Sequence, residues 1–159
     1  MTNENLKNYY RQLFNKISNT DELHYLVITP PENISLKQFS FLLKKSMRDI
    51  SKHYNINHSH QYIKYLSVVE VSSKITQSWK NVENLHLHSH LIIDMRVNLF
   101  NIIELDDLIK QIHQTFLKQE IRVNIYNSND LYYLSGLREY HTKQFEILDE
   151  KFIKSNLNI

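Results

Sequence analysis

The chain has no cysteine, one glycine (Gly136) and two prolines (Pro30 and Pro31) in 159 residues. Without cysteine there is no disulfide framework and no thiolate metal site, so folding is independent of the redox compartment. So few glycines and prolines argue against a jelly roll or sandwich, which need many tight turns. No apolar run approaches the roughly 20 residues of a membrane-spanning helix, and the start, Met1 to Lys7, lacks a signal-peptide core. The expectation is therefore an intracellular, cytoplasmic protein with no membrane partner. Nineteen Lys and Arg against 17 Asp and Glu leave a net charge of +2, which permits nucleic-acid binding without demonstrating it. Residues 1–159 read as a single domain, long enough to bury a core, with no repeat or linker.

What the chain does have is histidine in a pattern. Leu85 to Met95 reads Leu-His-Leu-His-Ser-His-Leu-Ile-Ile-Asp-Met. A strand sends alternate side chains to opposite faces, so His86, His88, His90 and Ile92 share one side. Leu85, Leu87, Leu91 and Ile93 share the other, with Ser89 as a polar interruption. Two histidines on one strand face stand about 7 Å apart, close enough to share one ion, and imidazole is the commonest metal-binding side chain. A histidine-rich strand facing solvent would show the same period; the apolar underside favours a row of ligands.

The other elements follow from spacing. Leu6, Tyr10, Leu13 and Ile17 give a short amphipathic helix from about Asn5 to Ser18, its tyrosines read as core. Leu23 to Thr29 is a buried strand stopped by Pro30-Pro31. Ser35 with Gln38 opens a helix running to about Tyr54; Lys37, Lys44, Lys45, Arg48 and Lys52 read as its solvated face. Tyr62 to about Ser72 is a strand in which Leu66, Val68 and Glu70 share a face. A carboxylate on an apolar strand is costly unless paired or metal-bound, the alternatives being an ion pair or an exposed strand end. The polar connection from Ser73 to Asn84 carries Lys74, Trp79 and Lys80, suited to phosphate contact and base stacking, or to a tryptophan folded back on the sheet. Ile103 to Lys118 is a helix with Glu104, Asp106 and Asp107 in its first turn, where the helix dipole favours them. Ile121 to Tyr126 is a strand, and the tail from about Asp130 to Phe152 reads as largely helical, weakened at Gly136.

The order is strand, helix, strand, strand, helix, strand, with helices added at both ends. It predicts an α+β, ferredoxin-like antiparallel sheet with two helices on one face and the other face available for ligands. The central hairpin would bring Glu70 near the histidines. Such a ligand set leaves coordination positions open, as catalytic metals require, and donor type alone admits Mn²⁺, Mg²⁺, Zn²⁺ or Fe²⁺.

His86-Leu87-His88-Ser89-His90 followed by Leu91-Ile92-Ile93 resembles the second motif of rolling-circle replication initiators of small plasmids and viruses, members of the HUH endonucleases. Tyr25-Leu26-Val27-Ile28-Thr29 resembles their first motif, and Glu70 stands where many plasmid members keep an acid. Their third motif, a tyrosine with lysine three residues later, is matched in spacing by Tyr140 and Lys143. Tyr133 also resembles it, with Gly136 in place of the lysine. Ser89 and Leu87 depart from the family pattern, which usually has a bulky residue and a proline there.

The resemblance implies a divalent cation, Mn²⁺ or Mg²⁺, held by His88, His90 and Glu70 against the scissile phosphate of single-stranded DNA at a replication origin. Tyr140 or Tyr133 would attack to leave a 5′-phosphotyrosine, with Lys143 neutralising phosphate charge and with a host helicase and polymerase as partners. His86, Trp79, Lys74 and Lys80 would contact DNA. A single-tyrosine transposase of the same superfamily shares these motifs. The alternatives from other classes are a two-His-one-carboxylate oxygenase and a non-catalytic single-strand-binding domain using sheet aromatics such as Tyr25 or Tyr65.

Overall fold

Capping and periodicity account for the helices. In the computed structural model, which describes residues 2–18, 22–30, 34–54, 63–71, 87–96, 101–116, 121–126, 139, 142 and 150–157, helix α1 spans Asn3–Ile17. It begins at Thr2, whose side chain accepts from the Asn5 N–H at 3.1 Å. Helix α2, Leu36–His53, starts where the capping pattern predicts, the Ser35 hydroxyl accepting from the Gln38 N–H at 3.1 Å. It ends at Tyr54, whose hydroxyl accepts from the Glu104 N–H and donates to Asp107 at 2.7 Å. That phenol ties the end of α2 to the start of α3, Leu105–Thr115, and satisfies one of the donors every helix leaves open at its N-terminus.

The strands are β1 (Leu23–Thr29), β2 (Tyr65–Val71), β3 (Leu87–Asp94), β4 (Arg122–Tyr126) and β5 (Ile153–Ser155). They form one antiparallel sheet in the order β4-β1-β3-β2-β5. The first four stand in the ferredoxin-like order that the element sequence predicts. β5 is an addition. The tail was expected to stay helical to Phe152; instead, a 3-10 turn at Glu150–Phe152 leads into β5. There Ile153 pairs with Val68, covering an edge of β2 that would otherwise present unpaired backbone groups. The remainder of that expected helix, Gly136 included, lies outside the described residues.

The alternation along β1, β2 and β3 sorts the core into two clusters. Leu26, Ile28, Val69, Leu87, Leu91 and Ile93 point to the face covered by α2 and α3. On that face the Ser89 interruption is answered by Ser67, the two buried hydroxyls lying 2.6 Å apart. Leu23, Tyr25, Leu66, Val68 and Ile92 point the other way and meet Leu6, Tyr10, Leu13, Phe14 and Ile17 of α1. Burying each side chain of this size stabilises by about 1.5–3 kcal/mol. That second face was expected to be available for ligands. It is instead partly roofed, because α1 has an apolar stripe that must be buried somewhere and this is the sheet surface left. Among the described residues, no helix is long and apolar enough to cross a membrane.

Candidate metal centre

The α1-covered face carries Glu70 on β2 and His88 and His90 on β3. Register brings them together: Glu70 pairs with His88 and Val68 with His90, so the carboxylate lies opposite one imidazole and diagonal to the next. One oxygen, Glu70 Oε2, is 2.9 Å from His88 Nε2 and 3.1 Å from His90 Nε2. The two imidazole rings stand 5.2 Å apart at 75°. Glu70 is fully buried and His90 nearly so, whereas 28% of the His88 side chain reaches solvent, which makes His88 the accessible side of the cluster.

These distances suit two chemistries. An imidazole N–H at this range donates to a carboxylate, and His88 Nε2 lies within that range of Glu70 Oε2. Two ligand atoms about 2.1 Å from one cation and at right angles to each other lie about 3 Å apart, matching both nitrogen–oxygen separations. One donor atom from each of the three residues falls within 4.8 Å of the other two, so Glu70, His88 and His90 could hold a metal ion. A fully buried carboxylate requires a cation or a hydrogen-bonded partner in either case.

Two tyrosines support the cluster. The Tyr25 hydroxyl, on the neighbouring strand β1, hydrogen-bonds His90 Nδ1, and the two rings lie nearly parallel with centroids 6.0 Å apart. A metal-ligating histidine ordinarily has its second ring nitrogen held in this way, which fixes ring orientation and tautomer. Tyr10, fully buried on α1, has its phenol pushed well above its ordinary value, chiefly by burial and further by Tyr25 and Glu70. It stays neutral and apolar-packed over the site. Sequence periodicity put Tyr10 in the core correctly, but its nearness to Glu70 depends on where α1 docks. The partnership of Tyr25 with His90 has a signal only in hindsight, a phenol amid the aliphatic residues Leu23, Leu26, Val27 and Ile28 of its strand.

Helix α1 also holds the chain near the expected third motif. Arg11 Nε and Nη2 donate to the two carboxylate oxygens of Glu139 at 3.2 and 3.1 Å, a two-pronged grip. Thr142, buried, returns its N–H and hydroxyl to the Glu139 carbonyl. Tyr133, Tyr140 and Lys143, the expected catalytic residues, and His86, Trp79, Lys74 and Lys80, the expected DNA contacts, lie outside the described residues. Tyr25 and Tyr65, the candidate stacking aromatics, are both buried and in opposite clusters, Tyr25 beside α1 and Tyr65 beneath α2. They make no shared platform.

No family model, no curated protein and no solved structure matches the chain. The site is thus characterised by its own geometry.

Proposed function

We propose that this chain is a metal-dependent single-stranded DNA endonuclease of the HUH type, serving the initiation of rolling-circle replication. The observation that carries the reading is the convergence of Glu70, His88 and His90 through one carboxylate oxygen, on the central strand pair of a ferredoxin-like sheet. The motif resemblance of His86 to His90 and of Tyr140 with Lys143 supplies the reaction class. A mixed nitrogen and oxygen donor set with open positions suits Mn²⁺ better than Mg²⁺, which prefers oxygen alone.

When bound, a divalent cation supplies polarisation of a phosphate and stabilisation of charge on its oxygens. Glu70, His88 and His90 would hold it, Tyr25 orients His90, and α1 with Tyr10 excludes water from the inner side. The half-exposed edge of His88 is where a phosphodiester reaches the centre. In the proposed step a tyrosine hydroxyl, of Tyr140 or Tyr133, gives up its proton to water and attacks phosphorus. The bond from phosphorus to the 3′-oxygen breaks, that oxygen takes a proton, and a 5′-phosphotyrosine remains. Because the link conserves the bond energy, a later 3′-hydroxyl reverses the step and rejoins a strand. Lys143 offsets phosphate charge. Arg11 ties Glu139 to the helix that roofs the triad.

The test is incubation with Mn²⁺ and single-stranded oligonucleotides, followed by denaturing electrophoresis. A covalent adduct that is lost in Tyr140→Phe or Tyr133→Phe, and weakened together with metal affinity in His90→Ala, is the expected result. Metal binding with no adduct on any substrate overturns the nuclease assignment. Strand binding without cleavage would mark a binding module, and oxygen-dependent turnover with Fe²⁺ an oxygenase.

A further inference from the structure

Lys37, Lys44, Lys45, Arg48 and Lys52 of α2 are exposed, as a solvated face requires, and three of them also line a groove. Lys37, Phe41, Lys44 and Arg48 fall at steps of four, three and four, one stripe along a helix. Lys37, Phe41 and Lys44 form one wall of a groove of about 680 Å³ whose other wall holds Lys151 and Lys154, from the 3-10 turn and β5. It runs on into a hollow of about 200 Å³ that shares Lys44 and adds Arg48. Five cations therefore line the groove and its extension. None of the described lining residues is acidic, in a chain whose net charge is only +2. Between the lysines Phe41 leaves 60% of its surface exposed. Ser40 Oγ, also in the wall, is buried with no hydrogen-bond partner among the described residues. β5 creates the far wall, pinned where Asn156 accepts the Tyr65 N–H at 2.9 Å.

We propose that this groove binds single-stranded nucleic acid, its phosphates on the lysines and a base stacked on Phe41. An exposed aromatic ring with cations on the adjacent helical turns matches an unpaired base with its flanking phosphates. A duplex hides its base faces, and an acidic peptide offers Phe41 no flat partner. The groove lies on the α2 side of the sheet, whereas the triad lies on the α1 side. Tyr65 and Glu70, which mark the two sites, are five residues apart on β2, about 17 Å at the rise of a strand. Binding here is separate from the metal centre and does not depend on the nuclease reading.

Fluorescence anisotropy of a labelled oligothymidylate, with EDTA present to remove any role of metal, tests it. Lys44→Glu/Lys154→Glu should weaken binding at least about tenfold, and the salt slope should fall by about 1.4, since each lost single-strand phosphate contact removes about 0.7. Phe41→Ala should weaken binding about fivefold or more with the slope unchanged, as loss of stacking does. The positions are surface ones, and circular dichroism verifies the fold of each variant. Equal affinity of wild type and the double variant overturns the proposal, as does competition by polyglutamate equal to that by oligothymidylate. Because EDTA is present, binding to the groove is read without metal, so failure of the metal-centred reading leaves a different signature.

Discussion

The Tyr25 hydroxyl meets Nδ1 of His90, and the opposite ring nitrogen of that histidine faces Glu70. Where the phenol oxygen accepts from Nδ1–H, Nε2 keeps its lone pair and is set as a ligand atom. Tyr25→Phe removes the oxygen and leaves the ring, and Tyr25 is a cluster member beside α1, so packing is retained. Metal affinity should drop about 10- to 100-fold, the usual cost of losing such a partner. Titration of Mn²⁺ by calorimetry, or of Co²⁺ by its visible absorption, reads this, with thermal unfolding of the metal-free protein as the control for fold.

Metal should also stabilise the fold. A ligand that binds only the native state, at a concentration 100 times its dissociation constant, adds about 2.7 kcal/mol. Thermal unfolding with and without Mn²⁺ should show an upward shift in wild type that is absent in Glu70→Gln and in His90→Ala. A shift of equal size in all three would place the ion elsewhere.

Ser67 and Ser89 form an isolated polar pair on the helix-covered face, both fully buried. Ser89→Ala alone strands a buried hydroxyl and should cost about 1–3 kcal/mol. Ser67→Ala/Ser89→Ala should cost less than the sum of the singles, with a coupling of at least about 0.5 kcal/mol. Urea unfolding of the four proteins measures the cycle, and strict additivity would show that the two hydroxyls do not depend on each other.

Burial also raises the Tyr65 phenol above its ordinary value. A group whose folded-state value is raised contributes stability that is complete below the unfolded value, about pH 10 for tyrosine, and is lost as pH rises through the folded value. Stability should therefore fall on the alkaline side of about pH 10. Tyr65→Phe should make that fall shallower, as followed by urea midpoints across the alkaline range.

Much of this was readable in one dimension. The period-2 run from Leu87 to Ile93 gave the strand and separated His88 and His90 from Leu87, Leu91 and Ile93. Glu70 could be placed on the face of Leu66 and Val68 by the same rule, and Ser35 marked the start of α2. Each depends on residues within a few positions of one another, where backbone geometry alone dictates which way a side chain points. β5 has no such local signature, because Ile153 to Ser155 is too short to show a period. Only an available edge on β2 makes it a strand.

The alternation of side chains along β2 and β3 was thus enough to put an acid and two imidazoles on matching faces, and the order of elements was enough to name the sheet. Whether those groups met was a matter of register, which sets Glu70 across from His88 rather than a residue away, and burial of both faces fixes that register. The docking of α1, the Tyr25 contact to His90 and the cationic groove against β5 join parts of the chain that lie far apart in sequence. Such contacts follow from where apolar surface is left to cover after the sheet has formed, and no local pattern encodes that.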